Sequence, residues 1–202
     1  MIKLTPLLNE SEASEEAKKK GLVSKGWGFW ADKSGKTVAK TADGKLQFIH
    51  PDDDTKSTLD FAKTVHGDQK YGTKPYIYHL RQVFDIAVSH GGSADELKAS
   101  ILHDVLEDTQ VSKEVLEKQF GPKVAHLVDL LSNQPSKKET FERIRTDKSA
   151  VFVKLCDRLA NVYNKAKNEK YRREQPLFKS ILYKPGEFDS LWSEIEHQLE
   201  IK

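Results

Sequence analysis

The chain is poor in cysteine: it has one, Cys156, among 202 residues. That excludes an internal disulfide and fits a reducing, cytoplasmic setting. Net charge is scarce as well, because 33 Lys and Arg against 31 Asp and Glu leave only +2. So small an excess gives no basic footprint for nucleic acid. No apolar run approaches the roughly 20 residues that a membrane helix needs. The opening MIKLTPLLNESEASEEAKKK lacks the sustained apolar stretch of a secretory signal. Internal repeats and low-complexity tracts are missing too. What is present is 37% apolar and 32% charged. That composition suits a globular protein with a heavily charged surface, and the length allows one ordinary domain plus an appendage.

The composition changes near residues 50–56. Before the break, ESEASEEAKKKG reads as a short polar helix ending at Gly21. KGWGFWADKSGKTVAKTADGKLQFI follows, with KSGK and ADGK as turns, and predicts three short strands in a meander. Trp27 and Trp30 are read as packing residues of that small unit. After the break the pattern is helical. TLDFAKTVHGDQ is one helix, Pro75 opens a second, and Ser93 to Glu96 form a capping box for a third running to about Thr109. Gly121-Pro122 bends or breaks a fourth. KKETFERIRT, SAVFVKLCDRLANVYNKAK and FDSLWSEIEHQLE are further helices, and the basic run at 165–173 is read as a solvated loop. The expected fold class is all-α: a helical bundle over 53–202 with a small helix and β-meander appendage over 1–52.

The stretch ILHDVLEDT, residues 101–109, places one His and three carboxylates inside a helical pattern. At ~100° per residue from His103, Glu107 falls near ~40°, Asp104 near ~100° and Asp108 near ~140°. Ile101, Leu102, Val105 and Leu106 fill the other arc. A solvated acidic face is the common explanation of such a cluster. Here, however, His103 and Asp104 adjoin the core stripe, no base sits at i+4, and Glu107 repels Asp108. A divalent cation resolves that conflict, since it attracts carboxylates and neutral imidazole together.

Two further places offer ligands. His66 ends the amphipathic helix of AKTVHGDQ, where a helix cap or a core histidine is the commoner role. Asp157 sits in the almost apolar VFVKLCDRLANV, where a carboxylate is costly without a counter-charge such as Lys154 or Arg158. The ordered His … His-Asp … Asp over three helices resembles the metal site of HD domains, with His66, His103, Asp104 and Asp157 as ligands. Mixed nitrogen and oxygen donors suit Mn²⁺, Fe or Zn²⁺ better than Mg²⁺. His79 in PYIYH is read as a structural, hydrogen-bonded histidine.

HGDQKYGTKPYIYHLRQV, ILHDVLEDT, QFGPKVAHLVDLLS and VKLCDRLANV together resemble the hydrolase domain of the Rel/Spo proteins, above all the stand-alone small alarmone hydrolases. The likeness spans about residues 56–200 and keeps motif order. It implies Mn²⁺-dependent removal of the 3′-pyrophosphate from guanosine tetra- or pentaphosphate. His66, His103, Asp104 and Asp157 would hold the metal. Glu107 and Asp108 match the family's catalytic acids and are expected to be partly buried. Asn161 matches the residue that contacts the sugar. Lys154 and Arg158, flanking the motif's Asp157, join Lys70, Tyr71 and Asn161 as expected nucleotide contacts. One departure is clear: the family's Arg-Lys pair after the first His is replaced by Lys70-Tyr71 in a segment one residue shorter. The bidentate Arg contact is thereby lost, which leaves open another nucleotide substrate, or a protein that binds nucleotide without turning it over.

Overall fold

The computed structural model describes residues 12–26, 29–33, 37–42, 45–48, 53–165 and 168–200. Trp27 and His50 lie outside them. The chain forms two compact units, Met1–Pro51 and Asp52–Lys202.

In the first unit, helix α1 (Glu12–Lys19) is followed by β1 (Val23–Gly26), β2 (Phe29–Ala31), β3 (Thr37–Ala42) and β4 (Lys45–Phe48). The strands lie in sequence order in one antiparallel sheet, with Val23 opposite Ala31 and Ala39 opposite Phe48. The meander thus has four strands, not three. KGWGFWA reads as one aromatic run, but Gly26 pairs with Phe29 within it, which divides the run between β1 and β2. Trp30 packs with Ala17 and Ala39 in a small core, and its indole N–H donates to Thr41 Oγ1 at 2.9 Å.

The second unit holds α2 (Asp53–His66), β5 (Lys70–Tyr71), β6 (Lys74–Pro75), α3 (Ile77–Ser89), α4 (Ala94–Leu102), α5 (Val105–Asp108), α6 (Lys113–Phe120), α7 (Pro122–Leu131), α8 (Lys137–Ile144), α9 (Lys148–Tyr163), α10 (Asn168–Leu182) and α11 (Asp189–Gln198). Ser93 and Ser136 form capping boxes with Glu96 and Glu139, and Asp147 caps α9 through the N–H groups of Ser149 and Ala150. Such caps are worth about 1 kcal/mol each. Gly121, at φ +89°, breaks α6 from α7, with Pro122 opening the latter.

Helix α9 is the axis of this unit. It packs on α3, α4, α7, α8, α10 and α11, and from Ala150 to Val162 every residue except Lys154 is buried. Each buried Leu or Val there contributes roughly 1.5–3 kcal/mol. The same burial carries Asp157, Arg158 and Asn161 into the interior.

Three expectations are corrected here. Pro75 does not open a helix; it ends a two-stranded hairpin that turns at Gly72, at φ +62°, a conformation that glycine reaches without steric cost. The basic run is not a loop throughout, since α10 begins at Asn168. The helix expected from Ser93 to Thr109 is interrupted. No described helix is long and apolar enough to cross a membrane.

Candidate metal centre

The interruption falls on His103 and Asp104. Helix α4 ends at Leu102, and Asp104 adopts φ −101°, ψ 0° before α5 starts. The Ser100 carbonyl accepts from Nδ1 of the His103 ring at 2.8 Å, and such local side-chain bonds compete with the helical ladder. Asp104 then roots α5: its carbonyl accepts from the N–H groups of Glu107 (3.1 Å) and Asp108 (2.9 Å). The wheel drawn on a continuous helix therefore does not apply, but the acids still stand within one turn of Asp104.

His79, His103 and Asp104 each offer a ligand atom, and these atoms lie within 4.8 Å of one another. His103 Nε2 is 2.9 Å from Asp104 Oδ2, and His79 Nε2 is 3.9 Å from that oxygen. Asp157 approaches the same two rings from α9, its Oδ1 lying 3.3 Å from His79 Nε2 and 3.7 Å from His103 Nε2. The two imidazoles and Asp157 are only 2%, 3% and 7% exposed. Tyr76 donates its hydroxyl to Asp104 Oδ2. Burial and the Asp104 charge raise the Tyr76 pKa, so the phenol stays a donor. Burial disfavours charge on Asp157, but Lys154 and the imidazoles outweigh it and hold its pKa well below the carboxylate range.

These residues fit a divalent metal. A carbonyl only accepts, so Nδ1 of His103 carries the hydrogen and the neutral ring turns its Nε2 lone pair toward Asp104. That Nε2 is buried and has no hydrogen-bond partner. A lone pair 2.9 Å from a carboxylate oxygen is repulsive unless positive charge lies between them. Without such charge the ring itself takes the proton: burial opposes this, but Asp104 and Asp157 push its pKa up to about 9. A metal ion satisfies the same demand with imidazole neutral, as ligation requires.

His66 is not in this group, and His79 stands where His66 was expected. His66 Nδ1 meets Gln69 Oε1 at 2.7 Å, and its ring stacks on Tyr76 at 4.7 Å. The β5–β6 hairpin separates the two histidines in sequence. His79, beginning α3, shares a buried face with Val83 and Ile86, and that placement on an apolar face was the available signal. Gln69 was missed altogether: its Nε2 donates to Asp108 Oδ2 at 2.8 Å, so it joins His66 to the acid pair.

Glu107 and Asp108 are exposed, contrary to the expected partial burial. Asn133 anchors Glu107 through its side-chain amide and, at 3.3 Å, its backbone N–H. Lys70 is exposed on the hairpin. Tyr71 stacks on His79 with ring centres 4.7 Å apart and 11° between planes, and it donates to Asn161 Oδ1 at 3.1 Å. Asn161 Nδ2 donates in turn to the Asp157 carbonyl (3.0 Å) and to Asp157 Oδ1 (2.5 Å). Its amide is thus engaged at both ends. Lys154 pairs with Asp157 at 2.8 Å, whereas Arg158 turns away to Glu174 at 3.0 Å.

Residues 58–181 match the family described as HD domain, and the chain belongs to that family. It is 30% identical over 165 residues to the guanosine-3′,5′-bis(diphosphate) 3′-pyrophosphohydrolase of Aquifex aeolicus, covering 73% of this chain and 23% of the relative. It is 36% identical over 97 residues to the Drosophila melanogaster guanosine-3′,5′-bis(diphosphate) 3′-pyrophosphohydrolase MESH1, covering 44% of this chain and 54% of that one. The aligned part thus spans about half of the fly relative and under a quarter of the bacterial one. The fold is similar to that of a solved metazoan SpoT orthologue, with a TM-score of 0.62 at 24% identity over 76% of this chain and 99% of the other.

Proposed function

We propose that this protein is a Mn²⁺-dependent phosphohydrolase that removes the 3′-pyrophosphate of guanosine tetra- or pentaphosphate, leaving GDP or GTP. The observation that carries the reading is the convergence of His79, Asp104 and Asp157 around the buried Nε2 of His103. The names of the relatives support the substrate class.

When bound, the metal supplies a water of lowered pKa and positive charge against the phosphoryl oxygens. The chain's own residues do the rest. Glu107 and Asp108, one turn from Asp104, accept the proton of the attacking water and return one to the leaving 3′ oxygen. Asn133 and Gln69 fix the directions of those two carboxylates. Tyr76 orients Asp104, and Asn161 orients Asp157, in the manner of groups that hold metal ligands in place.

Incubation with ppGpp and Mn²⁺ tests the reading, with GDP and pyrophosphate as the expected products. One observation favours a second reading within the family. Tyr71, rather than a cation, covers His79, which suits stacking on a different base. Turnover of ppApp with none of ppGpp would establish that alternative.

A further inference from the structure

Glu107 and Asp108 are exposed, and an exposed carboxylate keeps one direction only as firmly as the group bonded to it is itself held. Glu107 is bonded by Asn133, whose Oδ1 in turn accepts from Lys137 at 3.0 Å. Asp108 is bonded by Gln69, whose Oε1 meets Nδ1 of His66 at 2.7 Å. We propose that His66 is a positioning residue for the hydrolysis: its Nδ1–H fixes the Gln69 carboxamide, and that amide aims Asp108 at the attacking water. The assignment rests on the hydrolase reading above and gives a role to a histidine outside the metal group.

Hydrogen-bond chemistry sets the direction of the relay. An ionised carboxylate has no hydrogen to give, so the end of Gln69 that faces Asp108 is its NH₂. The amide oxygen therefore faces His66, and it too only accepts. The hydrogen between them comes from the ring, which makes His66 the Nδ1–H donor. With a bare lone pair on Nδ1, the two acceptors would repel at 2.7 Å. The amide would then turn its NH₂ to the ring and its oxygen to Asp108. One ring hydrogen thus decides whether Gln69 attracts the acid or repels it.

Rigidity is the second observation. His66 is 7% exposed, and its ring stacks on Tyr76 with centres 4.7 Å apart. The Gln69 main chain is tied on both sides: its N–H donates to the His66 carbonyl at 3.0 Å, and its carbonyl accepts from the Tyr76 N–H at 2.9 Å. What these bonds leave free is the Gln69 side chain, one of the most rotamer-rich in proteins. Bonds at both ends of its amide remove that freedom before substrate arrives, as orientation requires.

The unused nitrogen is the third. His66 Nε2 is buried and has no hydrogen-bond partner. A residue kept only to fill this place would do better as phenylalanine, which leaves no buried polar atom unmet. The bond made by Nδ1 is what accounts for an imidazole here.

The test combines turnover of ppGpp in Mn²⁺ with NMR of the metal-free full chain. His66→Phe keeps a ring on Tyr76 but has no N–H, whereas His66→Asn supplies an N–H within reach of Gln69 but no ring. His66→Ala and His66→Phe should lower kcat about 3- to 10-fold, with KM held within about 2-fold, and His66→Asn should recover most of the loss. In a Gln69→Ala background, His66→Ala should change kcat no further, since its effect passes through the amide. In the metal-free protein, the ring nitrogen shifts of His66 should place the hydrogen on Nδ1. The two side-chain amide protons of Gln69 should differ from those of free glutamine and collapse toward them in His66→Phe. Full turnover in His66→Phe, or His66→Asn as slow as His66→Phe, overturns the proposal, because packing would then be the role. An equal further loss on top of Gln69→Ala overturns it too, as does a hydrogen on Nε2 instead of Nδ1. If wild type fails to cleave ppGpp while the spectra show Nδ1–H and the collapse, the substrate reading falls and the bracing of Gln69 by His66 stands.

Discussion

Replacing His79 by Ala removes one of the two imidazoles at the proposed metal centre, and replacing His66 by Ala removes a ring outside it. Groups that merely orient metal ligands cost 10- to 100-fold in affinity when lost, so a direct ligand such as His79 should cost about 100-fold or more. At a Mn²⁺ concentration about 100 times the wild-type Kd, binding stabilises the native state by about 2.7 kcal/mol. After a ~100-fold loss the same concentration equals Kd, and only about 0.4 kcal/mol remains. For a chain of this size each kcal/mol moves Tm by roughly 2–4 °C. His79→Ala should therefore lose about 5–9 °C of the Mn²⁺-induced rise in Tm. The rise is measured for each variant against its own metal-free sample, so the packing cost of truncating a buried ring cancels. His66→Ala should keep most of the rise, because His66 is outside the cluster of ligand atoms that His79, His103 and Asp104 form. A full Mn²⁺ shift in His79→Ala, with its loss in His66→Ala, would refute the placement.

Other outcomes follow from the same contacts. Gln69→Ala frees Asp108 from its 2.8 Å bond and should lower kcat about 10-fold, as expected for loss of one hydrogen bond to a charged group, while Mn²⁺ titration stays at wild type. Tyr71→Phe deletes the bond to Asn161 but keeps the stack on His79; KM should change by less than about 5-fold, and a large fall in metal affinity would contradict that. Burial opposes charge on Asp129, yet bonds from Lys113 and Arg143 outweigh it and hold its pKa below 3.8. Its folded-state pKa is depressed, so its contribution is complete above about pH 4 and lost as pH falls through the folded value. Asp129→Asn should therefore be less stable than wild type at neutral pH, and the two unfolding curves should converge in acid.

The helical body was legible because its signals are local. The capping box at Ser93, the glycine-proline break at 121–122 and the apolar run of α9 all act within one or two turns. His103, Asp104 and Asp157 were legible for a related reason, since a charged or polar group inside an apolar helix demands a partner. His79 was not, because a buried histidine on an apolar face looks the same in sequence whether it is a ligand or a satisfied core residue. The choice was decided by the hairpin, which rests on Gly72 and on pairing between Lys70-Tyr71 and Lys74-Pro75. Two-residue strands carry almost no periodicity. Gln69 and Asn133 were invisible because they act over 39 and 26 residues of separation. Likewise Arg158 has a near neighbour in Asp157, but its partner, Glu174, lies on the next helix.

The most direct test of the metal centre is diffraction from Mn²⁺-soaked crystals at the manganese absorption edge. The account predicts one strong anomalous peak bonded to His79, His103, Asp104 and Asp157, with His66 uninvolved. A peak ligated by His66, or none near His103 Nε2 at saturating metal, would contradict it.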